Sequence, residues 1–549
     1  MATTNGVTSE PPTSNVPNLT TDVLIVGAGF GGIYGLYQFR KLGLSVKIVD
    51  AGSYFGGTWY HNRYPGARVD SEVPYYALSI PELWNTWTWS ERFPGHEELR
   101  RYFAHADKVL ELSKDTFFNT SVVEARFNVD TQQWTVKTHN GGVVKATYLV
   151  LAAGSSYKTH VPDFKNFSVY KGRVFHSSAW PKEEIDLSGK AVGVIGNGAT
   201  GVQIVQTLAR QPCKLTTFIR TPNIALPMRQ RKLTFDEQDI AKSFYESWYQ
   251  TARNTDSGFP FNTIKNSIWD VSPEERERVF EELWGRGGFN FSVGNFRDFL
   301  TDKKANALLY DFWARKVRAR IKDPFKRDVV APLEQTQYFC TKRPSLEQNY
   351  YEALDQPNVT VVNLNKTPIV EFVENGIRTT DKVHEFDIIV MATGFNAVTG
   401  SLTEIDLYDT DGKTVKQKWQ DGVYTYLGLT IPKMPNLFMV YSPQAPTAFV
   451  NGPPVIEIQI EWIVDAVKKM REENIKSITP NFDAAEKWRD EIQKMNEKTL
   501  HIYSDSWYMG SNIPGKKREQ LLYMGGLKTY NNVIRDSLDG WKGFTVTKA

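Results

Sequence analysis

Val23-Leu24-Ile25-Val26-Gly27-Ala28-Gly29-Phe30-Gly31-Gly32 is the stretch on which the fold turns. Four consecutive apolar residues read as a buried strand, and the glycines after them have separate tasks. Gly27 permits the tight turn out of the strand, Gly29 lets backbone approach a pyrophosphate, and Gly32 lets the next helix pack close to the sheet. That helix, expected over about 31–42, aims its N-terminal amides and dipole at the phosphates. A second strand, Ser45-Val46-Lys47-Ile48-Val49, ends in Asp50, 18 residues beyond Gly32. A carboxylate there accepts hydrogen bonds from an adenosine ribose.

The plan occurs twice. Gly196-Asn197-Gly198-Ala199-Thr200-Gly201 follows the apolar run Ala191-Val192-Gly193-Val194-Ile195. Its second strand, Lys214-Leu215-Thr216-Thr217-Phe218-Ile219, ends in Arg220, 19 residues beyond Gly201. An arginine in place of the acid accommodates a ribose 2′-phosphate. The first site is therefore expected to take FAD and the second NADP, with Thr200, Gln203, Arg220 and Thr221 as further NADP contacts. Two dinucleotide sites in one chain mean two cofactors that must meet, so the reading is a redox enzyme.

Two more buried strands, Tyr148-Leu149-Val150-Leu151 and Phe386-Asp387-Ile388-Ile389-Val390-Met391, each run into a small-residue turn. The expected fold class is α/β: two Rossmann-like dinucleotide-binding domains, for FAD and NADP, with a helical insert. The expected boundaries are a disordered tail at 1–20, FAD-binding segments at 21–155 and 385–549, NADP-binding segments at 156–227 and 336–384, and the insert at 228–335. Within the insert, Ser272-Pro273-Glu274-Glu275 carries a Ser cap, a Pro in the first turn and a Glu three residues after the cap. Val279, Phe280, Leu283 and Trp284 then share one helical face, and Leu309, Phe312, Trp313, Lys316, Val317 and Ile321 repeat that spacing. Such a unit can cover an active site.

The bulk numbers narrow the class. A chain of 549 residues exceeds one compact core, and 41% hydrophobic with 23% charged residues is ordinary globular composition. A formal charge of +3 makes no case for nucleic acid or a membrane surface. Cys213 and Cys340 are the two cysteines, so no disulfide framework and no Cys-x-x-Cys pair can be built, and a dithiol reductase is excluded. That usage fits a reducing, cytoplasmic compartment. The eight histidines show no metal-ligand spacing, and no apolar run approaches the roughly 20 residues that span a bilayer.

The linker between the loops carries the most specific words. Tyr170-Lys171-Gly172-Arg173-Val174-Phe175-His176-Ser177-Ser178-Ala179-Trp180-Pro181 resembles the signature Phe-x-Gly-x-x-x-His-x-x-x-Trp-Pro of type I Baeyer–Villiger monooxygenases, with Tyr170 in place of the opening Phe. Gly57-Thr58-Trp59, Tyr64-Pro65-Gly66, Asp70, Lys342-Arg343-Pro344 and Ser506-Trp507-Tyr508 extend the likeness over about 21–530. The resemblance implies NADPH- and O2-dependent insertion of one oxygen beside a ketone carbonyl, through a flavin C4a-peroxide, to give an ester or lactone. It makes Arg343 the active-site cation, Asp70 its orienting partner, and Trp507 a residue closing over substrate and nicotinamide. Lys342 is placed beside Arg220 on the NADP phosphate; Thr58, Trp59, Asp70, Tyr76 and Val122 are placed against FAD. His176 and Trp180 are read as coupling domain motion to cofactor position. A flavin-containing monooxygenase oxidising nitrogen or sulfur shares both loops and stays the alternative. A redox sensor without catalysis would keep the glycines and lose Arg343 or Asp70. Which ketone is taken, and the oligomeric state, are left open.

Overall fold

The structure, a computed structural model, describes residues 18–548. The tail expected at 1–20 lies almost wholly outside that range, although Leu19 and Thr20 already belong to the first strand.

Six strands precede the linker: β1 (Leu19–Val26), β2 (Val46–Val49), β3 (Thr116–Phe117), β4 (Val122–Asn128), β5 (Gln133–Thr138) and β6 (Val143–Leu151). β1 lies parallel between β2 and β6, with Val23 opposite Val46 on one side and Tyr148 on the other. Val23, Leu24 and Ile25 are fully buried, as a strand covered on both faces requires. The helix Phe30–Lys41 follows the first glycine loop, as the sequence predicts. It can lie between the sheet and the long helix Gly452–Glu472 because Gly35 has no side chain. A Cβ there would stand 3.0 Å from Ile25 Cδ1 and 3.3 Å from Ile460 Cδ1.

The second sheet is built from β7 (Arg173–His176), β8 (Ala191–Ile195) and β9 (Lys214–Ile219), joined later in the chain. Between them and the later strands, β10 (Ala225–Pro227) and β11 (Ser345–Glu347) run parallel, Ala225 facing Ser345. The chain therefore enters and leaves the helical insert at neighbouring points. Lys342 and Arg343 are delivered to that seam immediately before β11.

Downstream come β12 (Val359–Asn363), the antiparallel strands β13 (Ile369–Val373), β14 (Gly376–Thr379) and β15 (Val383–Glu385), then β16 (Ile388–Met391), β17 (Asp406–Tyr408) and β18 (Leu437–Met439). The second sheet has the order β12-β9-β8-β16-β7 and is parallel throughout. β17 pairs with β4 and β18 with the end of β6, returning the chain to the first sheet. This corrects the boundary expected at 385. Ile388 and Met391 pair with Val192 and Ile195 of β8, so this strand belongs to the second sheet and the return follows Met391. A uniformly apolar strand shows that it is buried on both faces; it does not show in which sheet.

The insert is helical, with Pro273–Arg286 and Lys303–Arg318 as its longest helices. Ser272 caps the first by accepting from Glu275 N, with Pro273 in the first turn. The apolar faces meet in an aromatic cluster in which Phe312 lies 5.4 Å from Phe280, 5.8 Å from Trp284 and 5.2 Å from Phe291, centroid to centroid.

Candidate active site

The first loop has the shape a dinucleotide needs. Gly27 has φ +112°, and a Cβ on it would lie 2.3 Å from Ala152 O; a Cβ on Gly32 would lie 1.9 Å from Gly27 O. No side chain caps the helix that starts after Gly29, so its first amides stay available to an anion. Asp50 accepts from Ala28 N and Gly52 N at 2.6 Å each. Burial pushes its carboxyl up, and these two donors work against that shift. Across the loop, Gly57 (φ +52°) opens the short helix Thr58–His61; Thr58 is exposed, and Trp59 Nε1 donates to Tyr76 Oη at 3.0 Å. Val122 is buried at the head of β4 in the core beneath this sheet. These residues fit FAD.

The second loop repeats the geometry. Gly196 has φ +113°, and a Cβ there would lie 2.2 Å from Ala392 O; one on Gly201 would lie 2.2 Å from Gly196 O. Gly198 heads the helix Ala199–Leu208, again without a side-chain cap. Arg220 is exposed at the end of β9, and Lys342 reaches the same place from the far side of the insert. Burial lowers the Lys342 pKa and the Arg220 charge lowers it further, while Asp505 acts the other way. Two cations held together in this way fit a phosphate-bearing NADP. Thr221 is tied to the loop by Asn197 Nδ2, which donates to its carbonyl at 3.4 Å. Thr200 is half-buried on the first turn of the helix. Gln203 has a different setting: its Oε1 accepts from Tyr64 Oη at 2.8 Å and its Nε2 donates to Arg68 O at 3.0 Å. It joins the two nucleotide units and does not face solvent.

Arg343 stands where these units and the insert meet. Its Nε and Nη2 donate to Asp70 Oδ2 at 3.0 and 2.8 Å, and Nη1 donates to Ala448 O at 2.6 Å. The guanidinium also lies 5.0 Å from the Phe289 ring centroid. Burial acts most strongly and against its charge, but Asp70, Tyr508 and Tyr441 together outweigh it and hold the Arg343 pKa above its ordinary value. Arg343 forms part of the wall of a cavity of about 380 Å³. The insert contributes Phe289, Val293 and Phe299 to that wall, and the C-terminal part of the chain contributes Phe449, His501 and Tyr508.

The structure thus brings Arg343 and Asp70 together and sets Lys342 near Arg220. Trp507 is not among the residues lining this cavity; it packs against its neighbour Tyr508 at 4.4 Å, and Tyr508 takes the place on the wall. Tyr508 was legible only as the third letter of Ser506-Trp507-Tyr508. Phe289, His501 and Tyr523, which also line the cavity, carry no sequence signal of their own.

A fold with two paired nucleotide loops and a guanidinium–carboxylate couple at their junction defines the class of flavin- and nicotinamide-dependent oxygenases. The pyridine nucleotide-disulphide oxidoreductase family matches residues 21–241, and both cysteines here are free, so the likeness lies in the nucleotide-binding framework. Cyclopentanone 1,2-monooxygenase of Comamonas sp. (strain NCIMB 9872) is 42% identical over 534 residues, covering 97% of this chain and 97% of the relative. The FAD-binding monooxygenase acrE of Aspergillus aculeatus is 43% identical over 533 residues, covering 97% and 90%. The crystal structure of cyclohexanone monooxygenase from Rhodococcus sp. Phi1 bound to NADP+ superposes with a TM-score of 0.93 at 36% identity, covering 97% of this chain and 100% of that one. The chain belongs to the Baeyer–Villiger monooxygenase family, with FAD and NADP as its cofactors. Among the described residues, no helix is long and apolar enough to cross a membrane.

Proposed function

We propose that this protein uses NADPH and O2 to insert one oxygen atom beside the carbonyl of a small-molecule ketone in the cytoplasm, giving an ester or lactone. The observation that carries the reading is Arg343, paired with Asp70, in the wall of a largely apolar cavity at the junction of the two nucleotide units. When bound, FAD supplies the oxygen-activating chemistry and NADPH its reducing equivalents. The chain's own residues supply charge and position. Arg343 spends three N–H groups on Asp70 and Ala448 and also meets the Tyr508 hydroxyl, and the rest of its five donors can meet a substrate oxygen. As a guanidinium that stays protonated, Arg343 stabilises negative charge as it develops on the carbonyl oxygen without surrendering a proton. Asp70 fixes the direction of the guanidinium and tempers its charge. Lys342 and Arg220 hold the 2′-phosphate of NADPH. The apolar wall from Phe289, Phe299 and Phe449 keeps water from the reacting carbonyl. Free Cys213 and Cys340 support a reducing cytoplasm as its location.

The test supplies NADPH, labelled O2 and a molecule bearing both a ketone and a thioether. A labelled ester or lactone is expected, and sulfoxide alone overturns the reading. Arg343→Ala is expected to retain flavin reduction by NADPH while ester formation falls by about a hundredfold or more. Ester formation at a comparable rate would remove Arg343 from the chemistry.

A further inference from the structure

The two glycine loops are built alike but are held in different ways. In the first, Gly27-Ala28-Gly29, the carboxylate of Asp50 just beyond β2 accepts from Ala28 N at 2.6 Å and so pins the middle residue of the turn. In the second, Gly196-Asn197-Gly198, the strand end is Arg220, and a guanidinium has no acceptor atom to offer an amide. Giving that position to a cation leaves the loop without a carboxylate tie. The middle residue here is Asn197, whose side chain can make bonds for which Ala28 has no atoms.

Asn197 is held from three directions. Its Nδ2 donates to Thr221 O at 3.4 Å, and because a carbonyl only accepts, this contact fixes which way the amide faces. Its Oδ1 accepts from the Tyr350 hydroxyl at 2.6 Å, and its backbone carbonyl accepts from Asn223 Nδ2 at 2.8 Å. Tyr350 is 1% exposed, and burial pushes its pKa up, so the hydroxyl keeps the proton it donates. The tyrosine is itself anchored. It opens the short helix Tyr350–Leu354, and its N–H donates to Glu347 Oε2 at 3.0 Å. Glu347 is paired in turn with Arg320, from the end of the insert's helix Lys303–Arg318, at 2.7 Å. The adjacent Tyr351 hydroxyl accepts from Ala225 N at 3.2 Å, which steadies the segment that carries Asn223.

We propose that Tyr350 is a positioning residue of the NADPH site: through Asn197 it fixes the second glycine loop, the task that Asp50 performs for the first. The strand end can then carry a cation for the 2′-phosphate without loosening the turn that meets the pyrophosphate. This rests on the assignment above of the second loop to NADPH and of Arg220 to its 2′-phosphate. The pyrophosphate is common to NADPH and NADH, so loss of the Tyr350 bond weakens both alike, whereas Arg220 bears on the difference between them.

The experiment uses the FAD-loaded protein as wild type, Tyr350→Phe, Asn197→Ala, the double variant and Arg220→Ala. Binding of NADP+ is measured by calorimetry and bound flavin by its absorbance. Flavin reduction by NADPH and by NADH gives a half-saturating concentration and a limiting rate for each. Tyr350→Phe is expected to weaken NADP+ binding by about fivefold and to raise both half-saturating concentrations by the same factor, with flavin content kept and the limiting rates within about twofold. Asn197→Ala should weaken binding at least as much, and adding Tyr350→Phe to it should cost less than about twofold more, because the bond is already gone. Unchanged NADP+ affinity in Tyr350→Phe overturns the proposal. So do losses that multiply in the double variant, which would mean that Tyr350 acts without Asn197. Loss of flavin from Tyr350→Phe together with nucleotide affinity would show a general structural role and overturn it as well. Arg220→Ala tests the premise: it should lower the preference for NADPH over NADH. An unchanged preference removes Arg220 from the 2′-phosphate and overturns that assignment and this proposal with it.

Discussion

His501 shows how much one buried side chain can bear on stability without announcing itself in the sequence. In the sequence it is a lone histidine between Leu500 and Ile502, with no metal spacing and no motif. Folded, it is fully buried, bonded at Nδ1 to Thr341 and without a hydrogen-bond partner at Nε2. Its native pKa of about 4 lies below the value of 6.5 for the unfolded chain. Between those values the unfolded chain binds a proton that the native chain does not. Stability from this group is therefore fully present above about pH 6.5 and is lost as the pH falls toward 4. From pH 7 to pH 5 the loss is about 2 kcal/mol for this group alone. His501→Leu is expected to lose correspondingly less stability over that interval, read from urea unfolding at both pH values. An unchanged pH dependence would mean that His501 protonates as readily in the native protein as in the unfolded one. Arg343 is the opposite case, since its ion pair with Asp70 was legible only through resemblance. A Lys-Arg dipeptide by itself describes a solvated surface as well as it describes an active site.

At the scale of elements, the two glycine loops were the most legible part of the chain, because their function is local. Gly27 and Gly196 turn with positive φ, and Gly32 and Gly201 allow the helix to approach the preceding carbonyl, all within six residues. The same locality gives a discriminating pair of substitutions. In Gly32→Ala the new Cβ meets Gly27 O at 1.9 Å, and in Gly201→Ala it meets Gly196 O at 2.2 Å, so in each the loop must shift. Gly32→Ala is expected to weaken FAD retention by on the order of a hundredfold, read as flavin absorbance after gel filtration. Gly201→Ala should keep its flavin and raise the KM for NADPH by a similar factor. Loss of flavin from both variants would mean that the loops do not serve separate cofactors. Less legible was β16, whose apolar letters say only that it is buried; the boundary at 385 failed because sheet membership is set by the long-range register with Val192 and Ile195. The helical insert was visible through its period, and its covering of the active site was expected, but which of its residues reach the cavity was not legible. Phe289 and Phe299 lie outside the two long periodic helices and reach the wall only through tertiary packing.

Across the whole molecule, the cavity depends on parts that must keep their relative positions: Arg343 and the insert's Phe289 in its wall, Asp70 paired with Arg343, and Lys342 one residue before it. Gln203 links the nucleotide units through Tyr64 and Arg68. His176 forms a further link, at the end of β7. Ser178 N donates to its Nδ1 at 3.3 Å, so the ring proton lies on Nε2 and is donated to the carbonyl of Gly394 at 3.2 Å. Gly394 sits where the chain leaves β16 for the first sheet, and its carbonyl also accepts from His160 N at 2.9 Å. His176 thus clamps the crossing between the units while standing outside the cavity wall. His176→Leu leaves Arg343, Asp70 and both glycine loops in place and releases that crossing. FAD content and the Arg343-dependent product are expected to persist, while NADPH consumption becomes several-fold less coupled to ester formation and the difference appears as hydrogen peroxide. The measurement is the ratio of ester to peroxide per NADPH consumed, with Ser178→Ala as a milder variant that removes the hydroxyl's bond to Nδ1 and leaves the backbone N–H donor. A ratio unchanged in His176→Leu would place the control of cofactor position elsewhere, with the Gln203 bridge and the Arg343–Asp70 pair as further side-chain links between the units.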